Sequence, residues 1–461
     1  MECDADLLVE EAAKAVDAVM EYVGSQAIEI VAVATAAFWH SVMGMSADGS
    51  AATPVYGWGD TRAAATAHVL RDEVDEAELH RETGCFIHPS YPLVKLVWLR
   101  RQDPGAFARS DAWVSFPEYL EHRLFRVRRC STSMGSGSGL MDVHRLTWHE
   151  EALATAGISA AHLSPLVDAD EPISGLRPAY AERWPALALV PWYPPLGDGA
   201  CANAGSGAVG PERTGMTVGT SAAVRALWGP AGPVAVPEDL WCYRLDRRRW
   251  VAGGALSNGG NAAAYLRRTL RLSELEEAET LVARMEADAH GLTILPFLRG
   301  ERGPGWLQEQ TATVVGLTES TSPEELLRAW MEAVAYRVVR VANRLEEIVG
   351  STREIRASGG ALHASPTWTR ILADSLDRPV WLAVEGEDTS RGAALVALEN
   401  LGLIPDLSMV DPPEAKLFEP RAEAHHRHRA AMRRQQRLLE AATPWLTSTA
   451  APASDREQST I

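Results

Sequence analysis

The chain has 461 residues, 46% of them hydrophobic, and a net charge of −17. That length predicts about two to four domains with ordinary buried cores, and the charge argues against nucleic acid or an anionic membrane surface as the main partner. No run of roughly 18 apolar residues is present to span a bilayer, and five scattered cysteines without a C-x-x-C pair argue against a disulfide or cysteine–metal framework.

The first residues, Glu2 to Asp6, are acidic where a signal peptide would be basic, so a reducing cytoplasm is the expected compartment. Over residues 6–23, Leu7, Leu8, Ala12, Ala15, Val16, Val19 and Val23 fall at helical spacing. Residues 29–35 are short, apolar and valine-rich, which predicts a buried strand. Phe38, Trp39, His40 and Ser41 stand at its carboxyl end, where open α/β sheets bind ligands. A helix ahead of a central strand implies that something preceding it is missing.

Trp58, Asp60 and Arg62 follow within five residues. An indole, an acid and a base so close can clasp a polyhydroxy compound, or equally form a surface salt bridge beside a packed ring. Residues 63–82 predict a helix, 83–92 a proline-bounded loop, and Lys95–Arg100 and Pro117–Leu124 further helices. Residues 131–142 predict a loop of small residues.

The acid Asp198 lies between Gly197 and Gly199, after a proline-rich run. Glycine lets backbone approach a ligand closely, and an Asp there can act as general base or hold a metal ion, or simply close a turn. Gly205, Gly207 and Gly210 fit G-x-G-x-x-G, but Pro211 follows and no acid stands about 20 residues on, so a dinucleotide site is rejected. Residues 215–225 read as strand, tight turn, strand, with Gly219, Thr220 and Ser221 forming an anion nest of backbone N–H groups and hydroxyls. Arg247 to Arg249 read as a hairpin surface.

Residues 251–260 predict a second glycine loop leading into a helix over 261–270, again suited to phosphate. Residues 292–298 predict a strand and 299–305 a loop. Ser322, Pro323 and Glu325 make a capping box that opens a long helix with one apolar stripe, ended by Gly350. Residues 354–357 predict a strand that meets Gly359, Gly360 and Ala361, where a flat base can lie against backbone. A strand over 378–384 and a helix over 391–398 follow. His425, His426 and His428 sit among arginines and read as a solvated helix face, and residues 443–461 as a disordered tail.

Taken in order, these stretches resemble the FGGY family of carbohydrate kinases, in its gluconokinase-like branch. The likeness is carried by residues 38–41, 58–62, 83–89, 197–200, 217–221, 253–260, 295–302 and 358–361, and runs from about residue 4 to about residue 440. It implies an α/β protein of two ribonuclease-H-like (actin-like ATPase) domains with a cleft between them. On that pattern residues 1–204 form an incomplete sugar-binding domain and 205–442 a nucleotide-binding domain. Asp198 matches the general base, and an acid so placed attends Mg²⁺. His40, Trp58, Asp60 and Arg62 fall where the family holds its sugar, and Arg62 suits an aldonate such as gluconate. Gly219, Thr220 and Ser221 resemble the second phosphate motif. Gly254, Asn258 and Gly259 would line the nucleotide path, and Gly359, Gly360 and Ala361 resemble the adenosine motif. The implied cofactors are ATP and Mg²⁺, and the implied partners are small molecules, with a homodimer one assembly left open. The family's opening strand with an Asp-x-Gly-Thr turn has no counterpart before residue 29. A start placed too late is the expected reason, and a binding protein without turnover the alternative.

Overall fold

The helical spacing near the start becomes a helix over Ala5–Gln26 that buries Ala5, Val9 and Ala13. The computed structural model describes residues 2–26, 28–229, 234–270, 272, 275–306, 310–384 and 387–448. Their contacts divide the chain into two units that are interleaved in sequence. Residues 1–210, 227–252 and 386–412 form the first, and 211–226, 253–385 and 413–461 the second. A single cut at residue 204 does not describe this, because residues 227–252 and the helix Asp388–Asn400 group with the earlier residues.

In the first unit the sheet is broken into short pairs. Residues 29–35, read as a strand, make only the bridge Val33–Trp192. Ladder pairing begins at Ala36–Ala37, which runs parallel to Leu196–Gly197. Val31 remains over half exposed, so the valine run lacks the two-sided cover of a central strand. Residues 63–82 split into helices Ala64–Glu73 and Glu76–Thr83, since the Asp75 side chain caps the second one. Pro92–Gln102 opens with proline at its first turn and buries Leu93, Val94, Leu96 and Val97 in the main core of this unit. Within the stretch 131–142, read as loop, Thr132–Ser136 is a short helix capped by the Ser131 hydroxyl.

Helices Asp198–Gly205 and Asp388–Asn400 touch backbone to backbone. A Cβ on Gly392 would lie 1.9 Å from the Cys201 carbonyl oxygen, and one on Gly205 would lie 1.8 Å from that of Asp388. Gly392→Ala is therefore expected to destabilise the protein by about 1–3 kcal/mol, as overpacking does. Thermal unfolding checks this, and an unchanged midpoint contradicts so close a crossing.

At the turn between strands Trp241–Arg244 and Trp250–Leu256, Arg247 and Arg248 lie on the surface as read, each paired with acids, and only Arg249 is buried. Arg247 binds Asp168 and Asp170, Arg248 binds Glu399, and the buried Arg249 binds Asp246 and Glu399.

The second unit carries a regular sheet. Ala222–Trp228 pairs antiparallel with Arg213–Val218, which runs parallel to Glu354–Ser358, itself parallel to Val380–Ala383, with Ala415–Phe418 antiparallel at the edge. Residues 250–256 belong to a strand, so the glycine loop is only Ser257–Gly259 before the helix Gly260–Leu270. Pro323–Val349 has the expected capping box, and Trp368 of the helix Pro366–Leu376 donates to the Met331 carbonyl at 3.0 Å. The last helix, Ala422–Ser448, takes in residues 443–448, read above as tail, while 449–461 lie outside the described residues. His428 on it is fully buried and meets the Tyr336 hydroxyl at 3.0 Å, so that histidine run is not a solvated face.

Candidate active site

In the first unit, strand pairing sets the geometry. Gly197 stands opposite Ala37 on parallel strands, so their carboxyl ends emerge side by side. One leads into Trp39 and His40, and the other into Asp198 at the start of a helix. Gly197 has a specific reason to lack a side chain: a Cβ there would lie 1.9 Å from the Trp39 indole. That indole is fixed by its N–H to the Ser133 carbonyl at 2.9 Å. Asp198 is exposed, with one carboxylate oxygen accepting the Gly199 N–H at 2.8 Å. A carboxylate is the kind of hard oxygen ligand that Mg²⁺ takes.

His40 has a left-handed backbone, with φ of 66°. Its Nδ1 donates to the Gly137 carbonyl at 2.6 Å, which leaves Nε2 the acceptor in the neutral ring. The ring stands edge-on to Tyr91 at 4.8 Å and to Tyr243 at 5.8 Å, and those two hydroxyls meet at 2.6 Å.

Asp60 is buried, and Arg62 grips both its oxygens. Burial alone would raise the Asp60 carboxyl, but the hydrogen bonds and charge of Arg62 outweigh it and hold it below the usual range. Arg62 also binds Glu2 at 2.7 Å and lies over the Trp98 ring at 5.1 Å. It thus enters the site already bound to two carboxylates, while Trp58 stands 47% exposed on the same turn.

Sequence reasoning missed Tyr91, Tyr243 and Lys95. The buried Lys95 ammonium donates to the carbonyls of His40, at 3.2 Å, and Ser90. Burial pushes it down to about 7, against the smaller opposing pull of Asp60. Its signal was a lone lysine within the apolar stretch 92–99.

In the second unit, a cavity of about 790 Å³ brings together Gly219, Thr220, Gly360 and Ala361. Such a volume takes a nucleotide-sized ligand. Gly219 and Gly360 face open space where a Cβ would stand, so the wall is bare backbone. The anion nest is smaller than expected, since the Gly219 N–H closes the turn on the Ser221 carbonyl at 2.9 Å. The helix Gly260–Leu270 is tied to this turn, Gly260 N–H to Gly219 and Asn261 N–H to Thr220. Asn261, Ala264, Tyr265 and Arg268 line the cavity from that helix, and Arg299 from the loop after the strand Thr293–Leu295. Their spacing of three and four residues was the signal that could have revealed them.

The remaining expected residues do not line this cavity. Ser221 and Gly259 press backbone to backbone, a Cβ on Gly259 falling 2.7 Å from Ser221. Gly254 lies within a strand, against Gly303. Asn258 donates to the Gly300 carbonyl at 3.1 Å, beside the buried pair Glu301–Arg337. Gly359 adopts φ of +114°, and a Cβ there would lie 2.3 Å from the Val218 oxygen.

A second set of metal-type groups, Asp288, His290 and Glu332, lies together in this unit. Arg328 already grips Glu332, and Arg434 grips Asp288. Those guanidinium groups supply the positive charge a metal would bring.

Two α/β units of the actin-like ATPase type are the class these elements define, and the comparisons with known proteins agree. Residues 1–205 match the N-terminal domain, and residues 214–400 the C-terminal domain, of the FGGY family of carbohydrate kinases. The chain belongs to that family and is a carbohydrate kinase by fold and descent. It is 30% identical over 388 residues to a gluconokinase of Bacillus licheniformis, covering 80% of this chain and 74% of the relative. It is 28% identical over 409 residues to a glycerol kinase of Thermus brockianus, covering 85% of this chain and 80% of that one. The crystal structure of a gluconate kinase from Lactobacillus acidophilus superposes with a TM-score of 0.90 at 24% identity, over 97% of this chain and 91% of that one. Among the described residues no helix is long and apolar enough to cross a membrane.

Proposed function

We propose that this protein transfers the γ-phosphoryl group of ATP to a hydroxyl of a sugar acid, gluconate first, with Asp198 as general base. The observation that carries this reading is the register of Gly197 against Ala37, which delivers Asp198 and His40 from adjacent strand ends. Asp198 takes the proton of the attacking hydroxyl, while His40 Nε2 and the Asp60–Arg62 pair orient the remaining hydroxyls. Positioning and charge neutralisation supply most of the rate enhancement in such transfers. The glycine-walled cavity suits a nucleotide, its Arg268 and Arg299 offering cations to a polyanion. Bound Mg²⁺, held by Asp198, would offset charge on the phosphates.

Gluconate is favoured because the 30% identical relative is a gluconokinase. Glycerol is the competing acceptor, given the relative at 28% identity, and xylulose, a ketose, is the third. Coupled ADP release with the three acceptors decides among them. We expect turnover with gluconate to exceed the others by about tenfold or more, a margin that hydrogen-bonded recognition of one substrate readily gives. Preference for another acceptor overturns gluconate alone. Nucleotide binding without turnover on any of the three identifies a binding protein instead.

A further inference from the structure

A lysine is seldom buried without a carboxylate partner, yet Lys95 is 1% exposed. Its hydrogen bonds among the described residues go to two carbonyl oxygens on separate loops, those of His40 and Ser90, with Asp60 acting only from further off. His40 is a non-glycine residue in the left-handed region, a conformation that persists only where its surroundings enforce it. Ser90 precedes Tyr91, whose ring meets the His40 imidazole, and its N–H is bound by His88 Nδ1 at 3.1 Å. One ammonium group therefore joins the two loops that present His40 and Tyr91. We propose that Lys95 is a positioning residue of the sugar site, tying the His40 and Ser90 carbonyls together and so holding His40 in its left-handed conformation. This rests on the reading of His40 as a sugar contact, although the clamp itself is a property of the backbone. Neither the charge nor the side chain of Lys95 has to touch the substrate.

The test combines Lys95→Met, which keeps length and removes the donors, with His40→Gly, which accepts positive φ without strain. Lys95→Met is expected to lower the thermal midpoint by several degrees in the parent chain and by clearly less in the His40→Gly background. Equal shifts in both backgrounds overturn the clamp. In steady-state assays Lys95→Met should raise the KM for the sugar by about tenfold or more, with the KM for ATP within about twofold. Matching changes in both constants, or none, also overturn it. If the parent chain turns over none of the three acceptors, the functional reading fails, and the thermal cycle still decides the clamp. Should Lys95→Met not fold, Lys95→Leu, which also removes the donors, takes its place in the same cycle and is judged by the same two outcomes.

Discussion

Asp198→Asn is expected to lower kcat by about 10²–10⁴-fold, the usual worth of a positioned general base, with little change in the thermal midpoint. The amide keeps the size of the side chain and an oxygen for the Gly199 N–H. Asp198 is exposed at the first turn of its helix, so the lost charge should cost about 0.3–1 kcal/mol of helix-terminus stabilisation. Steady-state ADP release alongside thermal unfolding separates the two effects. A variant that keeps its kcat and only raises the sugar KM shows that Asp198 binds substrate without taking its proton.

The largest effect on stability is expected at Glu332, which has no exposed surface. It accepts from Arg328 Nε at 2.5 Å, from the Tyr336 hydroxyl at 3.0 Å, and from His290 Nε2 and the Asp288 N–H at 3.2 Å. Removing one member of a buried ion pair strands the other, so Glu332→Gln should cost about 3–5 kcal/mol in urea unfolding. Burial alone would raise this carboxyl, but the His290 hydrogen bond and the charges of Arg328 and His428 pull it down to about 2. A folded pKa below the unfolded one contributes stability that is full above the ordinary carboxylate range and lost as pH falls towards 2. The parent chain should therefore lose its advantage over Glu332→Gln between about pH 4.5 and 2. Parallel curves across that window would show that the carboxylate is not held by these partners.

What was legible in the sequence follows from how local each signal is. Ser322, Pro323 and Glu325 form a capping box whose partners lie three residues apart, and the helix begins there. Asp198 was found because two glycines flank it. The reason for one of them, the Trp39 indole against Gly197, is a contact across 158 positions that no local pattern records. A tight turn does fall at Gly219–Ser221, but it offers fewer donors than its residues suggest, because the Gly219 N–H closes the turn on Ser221. Residues 29–35 carried the composition of a buried strand without the neighbours that make one, since pairing depends on residues 191–196. Lys95 reads as an ordinary helix lysine until the His40 and Ser90 carbonyls appear beside it. The expected residues of the second unit divide by the same logic. Gly360 and Ala361 face the cavity, whereas Gly259 and Gly359 are glycines because backbone passes too close for a side chain.

The interleaving of the units bears on how the protein is made. The helix Asp198–Gly205 packs its backbone against Gly392, which leaves the ribosome about 190 residues later. At synthesis rates of roughly 5–20 residues per second, that gap lasts on the order of 10–40 s. Throughout it the nascent chain carries its candidate base on a helix whose glycine face has no partner, ahead of a second unit that is emerging meanwhile. The first unit is thus completed only after most of the second has been made, and a messenger cut short anywhere before codon 386 would leave it without its closing helix.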